Sequence, residues 1–258
     1  LKWAKRSLSF GVPLIPMGLS TWLISMVNRL FILKYHDAAA VGVFNVSHTM
    51  ARGAEFVILA LNQAWMPFYF SAARDDSERE VTLPRLSTYF MAASCAVVAG
   101  TAVFSKEITS LMGKDYQEAH YVLPVLAACY VFRAVFYVAQ CAILQAKKTY
   151  VNAGIIISTL GVNAVFNFLL IPEAAMFGAA YALLISMAYQ AALTYYFAQK
   201  YFYIKYEYRR IGVLLLITFG IVAVSVKLAP VEVGLRLAGI KLGVLAGAAA
   251  LLFVSGWF

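Results

Sequence analysis

Charge is scarce in this sequence. Asp, Glu, Lys and Arg make up only 13% of its 258 residues, about half the share of an average soluble domain. Acids are the scarcer sign, with 12 Asp and Glu against 21 Lys and Arg. Cysteine is also sparse: Cys95, Cys129 and Cys141, each within an apolar run. They lack metal-ligand spacing and sit too deep in those runs for a structural disulfide, so they read as small core hydrophobes. No polar stretch is long enough to house a catalytic domain. These deficits exclude an ordinary soluble enzyme, a zinc-binding module and a disulfide scaffold. No cofactor motif is present, and neither a cofactor nor a metal is expected.

Apolar residues take the place of charge, at 63% of the chain. That places it among polytopic membrane proteins. The net charge of +9 would point to nucleic acid in a soluble protein. Here it reads as Lys and Arg of cytoplasmic loops, and no nucleic-acid partner is expected. The fold class is therefore all-α, with eight transmembrane helices at roughly 10–33, 40–71, 86–104, 121–145, 150–171, 175–198, 211–228 and 236–257. The second is long enough to project beyond a bilayer.

The stretch 145–186 organises this reading. It opens on Q-A-K-K-T and continues as an apolar run carrying Asn163 and Asn167. It then passes L-L-I-P at 169–172 and F-G-A-A-Y-A at 177–182. Two membrane-length segments are thus joined by a tight turn at Pro172–Ala175. That turn has no Lys or Arg, whereas the opening has Lys147 and Lys148.

Orientation follows from the same count over all connections. One side holds Lys2, Lys5, Arg6, Arg74, Arg79, Arg85, Lys147, Lys148, Lys200, Lys205, Arg209 and Arg210. The other holds Lys34, Lys106, Lys114, Lys227 and Arg236. Twelve against five puts the first side in the cytoplasm. The mixed-sign run at 74–80 reads as a solvated connection, as does the outward stretch 105–120. Trp3 and Trp257 read as interface anchors. The first helix is too long and too polar for a signal peptide. Because the chain begins at Leu1 in a basic stretch, a preceding part of a longer protein is expected.

Polar residues inside the helices are the informative ones. An Arg at a membrane-helix centre costs about 2.5–3.5 kcal/mol on insertion scales, so it faces a partner or water. On the first helix Gly18, Trp22, Ser25 and Arg29 follow steps of four, three and four, with Asn28 adjacent. On the second, Asn45, His48, Arg52, Glu55 and Asn62 form one seam. Tyr130, Arg133, Tyr137 and Gln140 repeat the pattern on the fourth. Thr159, Asn163 and Asn167 repeat it on the fifth. Such spacings share one helical face, and the economical arrangement turns all four at one hydrated cavity.

Each stripe has a plainer reading. Arg52 and Glu55 can neutralise each other. Asn163 and Asn167 can be interhelical hydrogen-bond glue, and His48 a buried hydrogen-bonded residue. Lys241, near an outer helix end, reads as snorkelling. Arg29 and Arg133 have no acid within a turn on their own helices, which makes them the best candidates for an unpaired positive site. A guanidinium fork matches phosphate oxygens and stays charged in any environment. A cavity with two or three Arg and one acid would attract a phosphate head group and repel a cationic drug. Tyr89, Tyr130, Tyr137, Tyr181 and Tyr189 offer packing surfaces or stacking faces for sugars.

The chain also resembles a known family. F-G-V-P-L-I-P-M-G-L-S at 10–20, N-R-L-F-I-L at 28–33, V-G-V-F-N-V at 41–46 and A-W-M-P-F-Y-F-S at 64–71 carry the likeness. A-K-K-T at 146–149, N-F-L-L-I-P at 167–172 and G-A-A-Y-A at 178–182 complete it. In order and spacing these resemble the C-terminal part of polysaccharide-export flippases in the multidrug/oligosaccharidyl-lipid/polysaccharide exporter superfamily. One departure is Asn28, where the family leads one to expect Asp before the Arg. The resemblance implies a second six-helix lobe at 1–200 of a two-lobed exporter, with an appended helix pair at 201–258. The first lobe would lie outside this chain.

It further implies movement of undecaprenyl-diphosphate-linked oligosaccharide across a bacterial or archaeal cytoplasmic membrane by alternating access. The partners would be that lipid-linked substrate, membrane lipids and the missing lobe. On this expectation Arg29, Arg52 and Arg133 bind the diphosphate and Glu55 tunes Arg52 or couples an ion. Asn45, His48, Gln140, Asn163 and Asn167 line the polar path, and no residue is catalytic. Three alternatives stay open at this point: a cation-coupled drug exporter, a peptidoglycan-precursor flippase, and a membrane glycan polymerase or ligase.

Overall fold

The computed structural model describes residues 14–73, 76–113 and 116–228, together with Gly243. Seven helices are found among them: α1 Leu14–Tyr35, α2 Ala38–Ala72, α3 Asp76–Val103, α4 Ser105–Ser110, α5 Ala119–Gln145, α6 Thr149–Tyr201 and α7 Tyr208–Leu228.

α5 is the centre. Outside the stripe of Tyr130, Arg133, Tyr137 and Gln140 it is apolar round its circumference, and 83% of its most apolar stretch is buried. A helix of that kind needs neighbours all round, and α2, α3, α6 and α7 supply them. Phe132 of α5 meets Phe219 of α7 at 5.5 Å between ring centres. On α2, Trp65 and Tyr69 are buried, with Trp65 against Phe90 of α3. α7 is as apolar as α5, yet only 28% of its stretch is buried. Its open side, like Val165, Phe168 and Leu169 on α6, is a surface suited to hydrocarbon rather than water.

α5 stops at the basic pair. Lys147 takes a left-handed conformation (φ 57°). Its N–H donates to the Leu144 carbonyl at 2.9 Å, and the Lys148 N–H donates to Ile143 at 3.1 Å. These two bonds satisfy carbonyls that the helix end would otherwise leave open.

α6 is a folded-back pair. A straight helix of 53 residues would be about 80 Å long, with residues 163 and 186 about 35 Å apart. Instead Asn163 Nδ2 donates to Ser186 Oγ at 3.0 Å, and the Tyr189 hydroxyl donates to Ser158 Oγ at 3.3 Å. The reversal falls at Ala175 (φ 47°, ψ −125°). Residues 149–174 form a first arm and 176–201 a second. Pro172 stays within the first arm and Ala175 makes the turn. Gly178 lets the arms close. A Cβ there would overlap the Leu170 carbonyl and lie 2.8 Å from Ile171 Cα, closer than side-chain carbons approach a backbone.

α1 lies along the first arm and runs in the same direction. Asn167 Nδ2 donates to Asn28 Oδ1 at 2.6 Å and to Asn163 Oδ1 at 2.9 Å. Farther along, His36 Nε2 bonds the Ile171 carbonyl at 2.7 Å. Three helical segments are thus tied by one buried amide chain from Asn28 to Ser186.

Several sequence expectations change here. The run at 74–80 is not wholly a connection, because α3 already begins at Asp76 and carries Pro84 inside it. The outward stretch 105–120 contains α4, with Ser105 and Thr109 buried. Among the described residues, four helices are long and apolar enough to cross a membrane: Glu80–Val103, Ala119–Gln145, Thr149–Tyr201 and Tyr208–Lys227. One of these is the folded pair. α2 falls short of that apolarity because it carries a polar stripe. The eighth predicted span, 236–257, lies outside the described residues except for Gly243, and Trp3, Lys241 and Trp257 lie outside them too.

Two outcomes follow. Gly178→Ala in the full-length protein is expected to cost about 1–3 kcal/mol through overpacking, lowering the melting temperature in detergent. Gly161→Ala, where nothing lies within 4 Å of the new Cβ, should leave it unchanged. Asn167→Leu should cost about 1 kcal/mol, and a double-mutant cycle with Asn28→Leu should return a favourable coupling. Additive losses in that cycle would remove the amide chain as a tie between α1 and the hairpin.

Candidate anion-binding cavity

Three of the four polar stripes converge fully or in part on one cavity of about 650 Å³, and the fourth reaches it through one residue. α1 brings Gly18, Trp22, Ser25 and Arg29. α2 brings His48, Arg52 and Glu55. α5 brings Tyr130 and Arg133, and the first arm of α6 brings Thr159. Helical periodicity is the reason. Steps of three and four return a residue to the same face, so the face turned inward is the one whose polar groups need water or each other.

The electrostatics centre on Glu55. Its Oε1 lies 3.4 Å from Arg133 Nε on α5, and its Oε2 lies 3.7 Å from Arg52 Nε on α2. One carboxylate is therefore shared by two guanidiniums on different helices. Neither contact is a full neutralisation. Arg133 Nε is buried and makes no hydrogen bond among the described residues. The Arg52 side chain is 48% exposed, where an ion pair is worth little, about 0–1 kcal/mol. The Arg133 guanidinium also lies 5.5 Å from the ring centres of Phe136 and Tyr137, and that of Arg52 lies 5.7 Å from Phe56. Aromatic faces thus hold both cations in place.

Arg29 faces the same cavity, and no carboxylate among the described residues pairs with it. Three guanidiniums and one carboxylate leave two positive charges in excess on one wall system. His48, buried and stacked on Phe44 at 5.8 Å, adds a ring nitrogen edge. The arrangement can hold an anion of more than one charge.

The expectation for Arg133 needs correcting. It has no acid on its own helix, but Glu55 reaches it from α2, because helix packing brings residues 78 apart in sequence into contact. Arg29 is the cation that keeps the unpaired role. Asn163 and Asn167 take the plainer of their two readings, interhelical hydrogen bonding, and not the place on the polar path. Both are fully buried, and their amides are spent on Ser186, Asn28 and each other rather than on the cavity. Asn45 and Gln140 are only partly buried and do not line it. The Oδ1 of Asn45 is buried without a hydrogen-bond partner among the described residues. Asn62 is buried likewise.

The second arm of α6 supplies residues that no stripe predicted: Leu183, Ser186, Met187 and Gln190. Ser186 and Gln190 stand four apart in an otherwise apolar segment, the same spacing signal that marked the other faces. Two polar residues made a short stripe beside the longer seams.

Comparison with known proteins points to polysaccharide biosynthesis. Residues 1–120 match a family model described as "Polysaccharide biosynthesis protein". The chain is 24% identical over 193 residues to the capsular polysaccharide biosynthesis protein CapF of Staphylococcus aureus, across 72% of this chain and 48% of that protein. The chain therefore spans about half the length of the curated relative it matches. No solved structure matches. Over most of its length, this chain is similar to proteins of polysaccharide biosynthesis.

Proposed function

We propose that this chain forms one lobe of a membrane flippase. In this reading it moves a polyprenyl-diphosphate-linked oligosaccharide from the cytoplasmic to the outer leaflet for cell-surface polysaccharide synthesis. The observation that carries the reading is the excess of two positive charges on a cavity walled by apolar helices. Arg29 and Arg133 bind the diphosphate, with Arg52 at the exposed rim. A fork of N–H donors fits phosphate oxygens in pairs. The apolar tail stays in lipid, so that only the head group needs the wet interior.

Glu55 gives the site its release. An arriving diphosphate competes with the carboxylate for the Arg133 and Arg52 guanidiniums. When the substrate leaves, Glu55 takes them back, and neither of these two guanidiniums is stranded without a counter-charge. Alternating access about a mid-membrane site then carries the head group across. In this reading α1 and α2 also cross the membrane, residues 1–200 form the transport lobe, and 201–258 are an appended pair. The facing wall comes from the other half of the full-length protein. The similarity to a capsular polysaccharide biosynthesis protein supports the substrate class. A drug exporter for cations is disfavoured, because the acid on this cavity already faces two guanidiniums.

Arg29→Gln and Arg133→Ala, each in the full-length protein, are expected to cut surface polysaccharide export more than tenfold, with lipid-linked glycan accumulating on the cytoplasmic side. Membrane levels of the protein should hold. Export at the normal rate by both variants would overturn the reading.

A further inference from the structure

One group in the cavity is unlike the rest. Trp22 is 57% exposed, although it stands about 12 Å along α1 from Leu14 and about 20 Å from Tyr35. It is therefore not at a helix end, where membrane Trp residues act as interface anchors. It opens instead onto the arginine cavity. Gly18, one turn away on the same face, has nothing within 4 Å of its Cβ position, so space is left beside the ring.

A second observation lies opposite. Gln190 is only 4% exposed and lines the same cavity. Its amide has no hydrogen-bond partner among the described residues. The polar end of this otherwise buried side chain reaches the cavity, a space where a ligand can supply partners. Thr159 stands beside it, its hydroxyl donating to Ile155 at 2.8 Å and keeping a lone pair for the cavity.

The three residues share one depth. Asn28 touches Asn167, and α1 runs alongside the first arm in the same direction. Trp22 is six residues before Asn28, and Thr159 is eight before Asn167, which puts them within about 3 Å along the axis. Asn163 touches Ser186 across the hairpin. Thr159 is four residues before the one and Gln190 four after the other, so these two are level as well. Arg29 stands about two turns farther along α1, and its side chain leans back towards Trp22, as helical side chains lean to the N-terminus.

We propose that Trp22, Gln190 and Thr159 form a sugar subsite next to the arginines. The indole face covers the apolar C–H face of a pyranose. Gln190 and Thr159 bond its hydroxyls from the other wall. The inference rests on the diphosphate reading of Arg29 and Arg133 and adds recognition of the first sugar joined to that diphosphate. A pyranose has one apolar face and a polar edge, and this layer of the cavity offers one aromatic wall and one amide wall. A bare lipid diphosphate makes no contact with the indole face or the Gln190 amide, so the subsite discriminates loaded carrier from spent carrier.

The test uses purified full-length protein in nanodiscs and two probes: a short-chain prenyl diphosphate bearing one N-acetylhexosamine, and the same prenyl diphosphate without sugar. The wild type should bind the glycosylated probe more tightly. Trp22→Ala and Gln190→Leu should each lower the ratio of the two affinities by about tenfold. Trp22→Phe should restore most of it, which a merely structural role would not predict. Equal affinity of the wild type for both probes, or a ratio unchanged in Trp22→Ala and Gln190→Leu, overturns the sugar subsite and leaves the diphosphate reading standing. Wild-type protein that binds neither probe overturns both.

Discussion

A single carboxylate held between guanidiniums from two helices is the constraint around which this structure is built. Charges away from water are tolerated only when paired or hydrated. Glu55 lets Arg133 remain in a largely apolar interior and reaches Arg52 at the exposed rim, and it can do so only if α2 and α5 stand at one spacing and rotation. That requirement fixes the faces of both helices. Once they are fixed, Tyr130 and His48 are turned to the same space, and Arg29 completes it from α1.

The hairpin of α6 meets a different need. Its arms must close tightly enough to wall the cavity, yet they carry polar amides. The contact at Gly178 brings the arms together near the turn. Asn28, Asn163, Asn167 and Ser186 then bond one another in a buried chain, so α1 is tied to the hairpin with Ser186 alone drawn from the cavity wall. Interhelical amide bonds of this kind contribute modestly one at a time, but they also fix register. The depth shared by Trp22, Thr159 and Gln190 is a consequence of that register. Packing of the amide chain and the chemistry of the cavity are linked in this way.

Much of the fold was legible because membrane helices announce themselves by length and apolarity. The stretches that became α2, α5, α7 and the two arms were all visible. So were the faces that carry Arg29, Arg52 with Glu55, and Arg133, because helical spacing shows which residues of one helix share a face. What was not legible had a common cause. Spacing within one helix says nothing about which neighbour a face meets. Arg133 reads as lacking an acid until α2 is packed beside it. Asn163 and Asn167 read either as path residues or as interhelical glue until α1 is packed against them. The start of α3 at Asp76 was hidden because a charged run reads as a connection whether or not it is helical.

The sequence alone determined that this chain is helical, apolar and basic, and that its few membrane charges are grouped on helix faces. Those properties depend on composition and on a 3.6-residue repeat, both local. Tertiary structure decided which cations are paired, which amides are spent on packing, and which aromatic ring is left open to the cavity. Each of those outcomes depends on the distance between groups on different helices, and a one-dimensional pattern does not carry such distances.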